Sequence, residues 1–183
     1  MDEAKLDSAT GIYNKKAITD MITEEINKAA ADNKNRPMYL MILDIDNFKS
    51  VNDSYGHYFG DEVIKSFADS LRISVGGRGL VGRIGGDEFM VLLKDVSVEE
   101  VRIMLKSMRK GLKMLLAQKQ PEYLFSTSIG ISQFSKDGTD FETLFKIADA
   151  ALYIAKEKGK DRYIIYDYDK HGDILADMKH DIA

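Results

Sequence analysis

Apolar residues along this chain recur at two different intervals, and the switches between them outline the elements. From Asn14 to Asp32, Ala17, Ile18, Met21, Ile22 and Ile26 return every three or four positions, which predicts an amphipathic helix. Lys34, Asn35, Arg36 and Pro37 break it. Met38 to Leu43 is then an unbroken apolar run, the pattern of a strand covered on both faces, and it stops at Asp44. A second helix is predicted over Asp61 to Val75, with Val63, Ile64, Phe67, Ala68, Leu71 and Val75 as its stripe and Gly76, Gly77 and Gly79 as its end. Leu80 to Ile84 and Phe89 to Leu93 read as strands joined through Gly85 and Gly86, residues that tolerate positive φ and suit a tight hairpin.

Downstream, Ser97 with Glu100 forms a capping-box pattern ahead of a long helix carrying Val101, Leu105, Met108, Leu112 and Leu115. Leu124 to Ser132 alternates, with Phe125, Thr127, Ile129 and Ile131 on one face and small residues on the other. Thr139 with Glu142 is expected to cap a further helix, whose stripe is Phe141, Leu144, Phe145, Ala148, Leu152 and Ala155. Tyr163 to Tyr166 is a last short strand. Helices thus interrupt strands throughout, and the order predicts an α/β sandwich with a mixed sheet, forming one domain over residues 1–167. After Asp167 the character changes. Ile174, Leu175, Met178 and Ile182 predict an amphipathic helix outside the sheet, so 168–183 is expected to be a C-terminal linker or helix leading toward a further domain.

Composition narrows the chemistry. A chain of 183 residues with 44% hydrophobic content suits a single core. With a formal net charge of only -4, it offers no broad basic field for a nucleic-acid polymer. It has no cysteine, which removes disulfides, thiolate catalysis and thiolate-bound metals, leaves hard oxygen ligands as the main metal option, and fits a reducing cytoplasm. No apolar stretch approaches the roughly 18 to 20 residues that span a bilayer, and the acidic Asp2 and Glu3 do not resemble a signal peptide, so no membrane is expected.

The chemistry-bearing residues lie at strand ends. Asp44 closes the apolar strand, and Asp87 with Glu88 sits at the hairpin, where an open α/β sheet usually places its site. Magnesium takes oxygen ligands in near-octahedral array, often a couple of carboxylates with phosphates, and these three acids could supply them. The plainer reading makes Asp44 a turn residue and the other two decoration on a hairpin. Clustering at one end of the sheet favours the metal.

Gly85, Gly86, Asp87, Glu88 and Phe89 reproduce the five-residue motif that names the GGDEF family. Upstream, Asp44, Asp46, Phe48, Lys49, Asn52, Asp53, Gly56, His57, Gly60 and Asp61 match that family's D-x-D-x-F-K-x-x-N-D-x-x-G-H-x-x-G-D block at the same spacing. Asp7, Thr10, Gly11 and Asn14 are similar to its opening D-x-L-T-G-L-x-N-R, and Ala151 to Gly159 to its A-L-Y-x-A-K-x-x-G. From Asp7 to Tyr166 the chain therefore resembles a GGDEF diguanylate cyclase domain.

That resemblance implies a polymerase-palm or nucleotidyl-cyclase-like fold with a five-stranded, mainly antiparallel sheet. The activity it implies is condensation of two GTP into cyclic di-GMP, a 3′ hydroxyl attacking an α-phosphate and pyrophosphate leaving, with Mg2+ (or Mn2+) and a homodimer during catalysis. By resemblance the metal positions are Asp44, Ile45, Asp87 and Glu88, and the catalytic residues are Asp87 and Glu88. Asp87, Glu88 or a metal-bound hydroxide would each serve as proton acceptor. Asn52 and Asp61 match the guanine-reading pair, an amide and a carboxylate that complement an edge adenine lacks. The backbone around Asn47 and Phe48, Gly85 and Gly86, and the ammonium groups of Lys156 and Lys160 would meet the nucleotide and its phosphates.

Departures also count. Position 160 is usually arginine in the family, and a lysine point charge there replaces a bidentate fork. Ala9 and Lys15 stand for the usual Leu and Arg. The product-inhibition motif R-x-x-D falls on Gly76 to Gly79, so no inhibitory cyclic di-GMP binding is expected there. His57 is expected to make a structural hydrogen bond. The alternative function is a non-catalytic GTP-binding module regulating an attached sensor or EAL-type phosphodiesterase domain.

Overall fold

The structure, a computed structural model, describes residues 3–32 and 36–172. The amphipathic segment expected from Ile174 to Ile182 lies outside them. Helix α1 (Lys15–Ala31) starts where the Asn14 side chain accepts from the Ala17 amide, and strand β1 (Met38–Ile45) is buried at every position. Asp44 is thus the last residue but one of the strand.

Burial of β1 follows from its place. The sheet order is β2 (Gly79–Arg83), β3 (Glu88–Lys94), β1, β4 (Thr127–Gln133), β5 (Tyr163–Ile165), so the apolar strand is the central one. Only β4 and β5 pair in parallel; the other neighbours are antiparallel. Alternate residues of β1 feed two cores. Tyr39, Met41, Leu43 and Ile45 pack toward helices α3 (His57–Val75) and α4 (Val98–Lys119). Met38, Leu40 and Ile42 pack toward α1 and α5 (Phe141–Glu157). The expected open, five-stranded α/β sandwich is what forms.

Four local expectations are corrected. Gly56, at φ 82, separates α2 (Phe48–Tyr55) from α3, so α3 begins at His57 and Asp61 is not its cap. The long helix has the Ser97–Glu100 capping box, but its buried stripe ends on Leu116, whereas Leu115 is 42% exposed. Asp140, not Thr139, caps α5, accepting from the Thr143 amide. Gly85 and Gly86 do not have positive φ. Among the described residues, no helix is long and apolar enough to cross a membrane.

Candidate active site

Pairing of β1 with β3 sets Asp44 directly across from Glu88, and the Ile45 amide donates to the Asp87 carbonyl at 3.2 Å. Acids from two distant stretches therefore meet at one end of the sheet. Asp44 is 9% exposed, while Asp87 and Glu88 are half-buried. Burial pushes the Asp44 carboxyl above its usual range; Lys156 opposes that rise, and the charges of Asp87 and Glu88 add to it.

The ammonium of Lys156, near the end of α5, stands 3.1 Å from the Asp44 carboxylate. Among the described residues no three acidic or histidine side chains already converge as a metal-ligand set. The donor chemistry still fits a hard cation: Asp44 and Glu88 offer carboxylate oxygens across adjacent strands, and a positive charge already rests against Asp44. Ile45 is fully buried with its side chain in the core, so only its main chain could contribute.

The hairpin is shaped by side chains rather than by glycine φ. A Cβ on Gly85 would stand 2.5 Å from the Glu88 Oε2 and 3.3 Å from its Cβ, so glycine leaves room for that carboxylate to lie over the turn. Gly86 faces open space. Arg83 holds the loop: its Nε donates to the carbonyls of Gly85 and Gly86 at 3.1 Å each, and a terminal nitrogen donates to Gly86 at 2.6 Å. Another terminal nitrogen lies 3.2 Å from Asp7. Burial works against the Asp7 carboxylate, but Thr10 and Arg83 hold its pKa below the usual value. Sequence reasoning missed Arg83. Its partner is 76 positions away, where no periodic pattern reaches.

Helices α2 and α3 carry Asn52 and Asp61, the two residues expected to read guanine. A Cβ on Gly60 would fall 1.9 Å from the Asn52 side-chain oxygen, so the Asn52 amide lies against the residue preceding Asp61. Asn47 adopts left-handed backbone at φ 55, starting α2 without a side-chain cap, and the Lys160 Nζ donates to its side-chain oxygen at 2.6 Å. Phe48 opens α2 behind it. His57 is exposed and makes no side-chain hydrogen bond among the described residues, contrary to expectation. At Gly79, where the family's inhibition motif ends in Asp, a Cβ would meet the Leu92 carbonyl at 1.9 Å; this backbone admits only glycine.

The sheet order, with acids of two strands at one end, defines an open α/β domain of mixed sheet. Residues 4–162 match the family described as "Diguanylate cyclase, GGDEF domain", and the chain belongs to that family. It is 34% identical over 156 residues to the probable diguanylate cyclase DgcC of Escherichia coli K12, a match covering 85% of this chain and 42% of that protein. It is 33% identical to the cyclic di-GMP phosphodiesterase PdeR of the same organism, over 89% of this chain and 24% of that one. The chain thus spans less than half the length of these curated relatives. Among solved structures, the GGDEF domain of DgcB from Caulobacter crescentus in complex with c-di-GMP superposes with a TM-score of 0.79 at 27% identity, covering 90% of this chain and 97% of that one.

Proposed function

We propose that this chain condenses two molecules of GTP into cyclic di-GMP, with release of pyrophosphate. The observation that carries the reading is the meeting of Asp44 and Glu88 across β1 and β3, beside the α2 start and the lysines of the α5 end. Asn52 and Asp61 select guanine. The Asn47–Phe48 backbone, Gly85 and Gly86 border the nucleotide, and Lys156 and Lys160 bear on its phosphates, Lys156 exchanging Asp44 for phosphate when GTP enters.

In each half-reaction the 3′ oxygen of one GTP forms a bond to the α-phosphorus of the other. The bond from that phosphorus to its bridging oxygen breaks, pyrophosphate leaves, and the hydroxyl proton passes to a base. Repeating the step with the roles exchanged closes the ring. Mg2+ or Mn2+, held by Asp44, Glu88, Asp87 and the Ile45 main chain, supplies charge neutralisation at the triphosphate. Since one domain holds one GTP, two copies of the chain face each other during the reaction.

Incubation with GTP and Mg2+ followed by chromatography is expected to yield cyclic di-GMP, whereas ATP yields no dinucleotide. In Asn52→Ala, the preference for GTP over ATP falls about tenfold, the worth of a buried hydrogen bond. One observation favours a second reading, a non-catalytic GTP-binding module: a relative with 33% identity to the chain is named a phosphodiesterase. GTP bound without product supports that module. No GTP bound at all removes both readings.

A further inference from the structure

Asp46 belongs to the matched block, yet no role in metal or nucleotide binding falls to it. It is only 6% exposed, and its carboxylate is satisfied by three separate donors. Ser128 donates to one oxygen at 2.6 Å; Ser126, by a very short hydrogen bond, and the Asp161 amide at 3.0 Å share the other. Its own amide donates to the Ser126 carbonyl at 3.0 Å. A single buried side chain thus ties together the end of β1, the start of β4 and the turn from α5 to β5.

That turn is held in an unfavourable backbone state. Gly159, Lys160 and Asp161 follow one another at φ 99, 61 and 46, and Asn47, the residue after Asp46, is left-handed too. Left-handed non-glycine residues persist only where their surroundings over-determine them, and they gather at functional sites. Here the Asp46 carboxylate fixes the Asp161 amide from within. Arg109 and Lys113 of α4 grip the Asp161 carboxylate from outside, at 2.5 and 2.7 Å. Between these anchors, Lys160 is turned back so that its ammonium meets Asn47 at 2.6 Å.

We propose that Asp46 is a positioning residue for triphosphate binding: by fixing the Asp161 amide it aims Lys160 and the Asn47 backbone together at the phosphates. This rests on the GTP reading above and assigns a function to a residue that touches no substrate. An asparagine keeps the shape but removes the charge: its oxygen can still accept from Ser126 and the Asp161 amide, and its nitrogen can donate to the Ser128 hydroxyl, but the Asp161 amide is left with a neutral acceptor, which holds it more weakly than a carboxylate.

The test is a double-mutant cycle on GTP binding, read by calorimetry with Mg2+, over wild type, Asp46→Asn, Lys160→Ala and the double variant. Each single change is expected to raise the Kd for GTP about tenfold or more, as loss of a positioning partner does. The double variant should be within about threefold of the weaker single one, since both changes remove the same aimed lysine. GMP, which lacks the β- and γ-phosphates, should lose much less. Additive losses, or equal losses for GMP and GTP, would overturn the proposal, because general loosening of the fold has that signature. If Asp46→Asn does not fold, Ser128→Ala carries the same cycle, since it removes one of the donors that hold the Asp46 carboxylate in place. Wild-type protein that binds no GTP overturns the proposed function, and this proposal with it. GTP binding with additive losses overturns this proposal alone.

Discussion

Asp44→Asn is expected to reduce cyclic di-GMP formation by about a hundredfold to a thousandfold, the scale of the several kcal/mol that a metal contributes to charge stabilisation. Glu88→Gln should fall in the same range. Asp44 and Glu88 pair directly across β1 and β3, so either change removes one of the three acids of the proposed clamp while keeping size and shape. Asp44 is the more informative position. Its carboxylate is nearly buried, paired with Lys156 and crowded by two other acids, and that crowding costs folding energy until a cation binds. Removing the charge relieves that crowding, so thermal stability should hold or rise while turnover falls. Chromatographic product rates beside a melting curve check both halves. A variant keeping more than about a tenth of wild-type turnover would remove Asp44 from the reaction.

Gly130→Ala is expected to be the most damaging small change to the fold. Gly130 lies in β4 beneath α5, between Ser128 and Ser132, and Ser132 donates to the Leu144 carbonyl at 2.8 Å. A Cβ there would stand 1.9 Å from the Ala148 carbonyl oxygen and 2.2 Å from the Leu152 nitrogen. Both are backbone of a packed helix, so no rotamer change relieves the clash. The destabilisation should be about 3 kcal/mol, at the upper end for overpacking. For a chain of this length that lowers Tm by roughly 6 to 12 °C. Gly111→Ala, on the outer side of α4 with nothing within 4 Å, is the control and should stabilise by about 0.5 to 1 kcal/mol. Equal melting points for the two variants would show that α5 does not lie so close.

The small residues of β4 also mark what the sequence makes legible. Their alternation with Ile129 and Ile131 foretells a strand with one large and one small face, and the apolar run from Met38 foretells a strand covered on both faces. Such patterns are visible because burial acts on every residue of an element. Choices made by one atom are not. Thr139 and Asp140 are both plausible caps, and backbone at φ -130, ψ 157 gives the role to Asp140. Leu115 and Leu116 differ by a drift that accumulates along the 22 residues of α4. Gly56 breaks the chain between two helices by its φ, so the helix expected from Asp61 begins at His57 instead.

At the site, the motif spacing singles out the acids, the hairpin and the lysines as candidates. It does not reveal that Lys156 rests on Asp44 or that Arg83 laces the hairpin to Asp7, nor does it disclose the three donors on Asp46. Those contacts join residues as far as 115 positions apart, and only the assembled sheet brings them together.

The position of a divalent cation tests the central claim most directly. Crystals grown with Mn2+ and a GTP analogue carrying a methylene in place of the α,β-bridging oxygen should give an anomalous peak between Asp44 and Glu88. That peak should touch the triphosphate, with Lys156 withdrawn from Asp44. Nucleotide bound elsewhere, or bound with the Lys156–Asp44 pair intact and no cation between the acids, would contradict it.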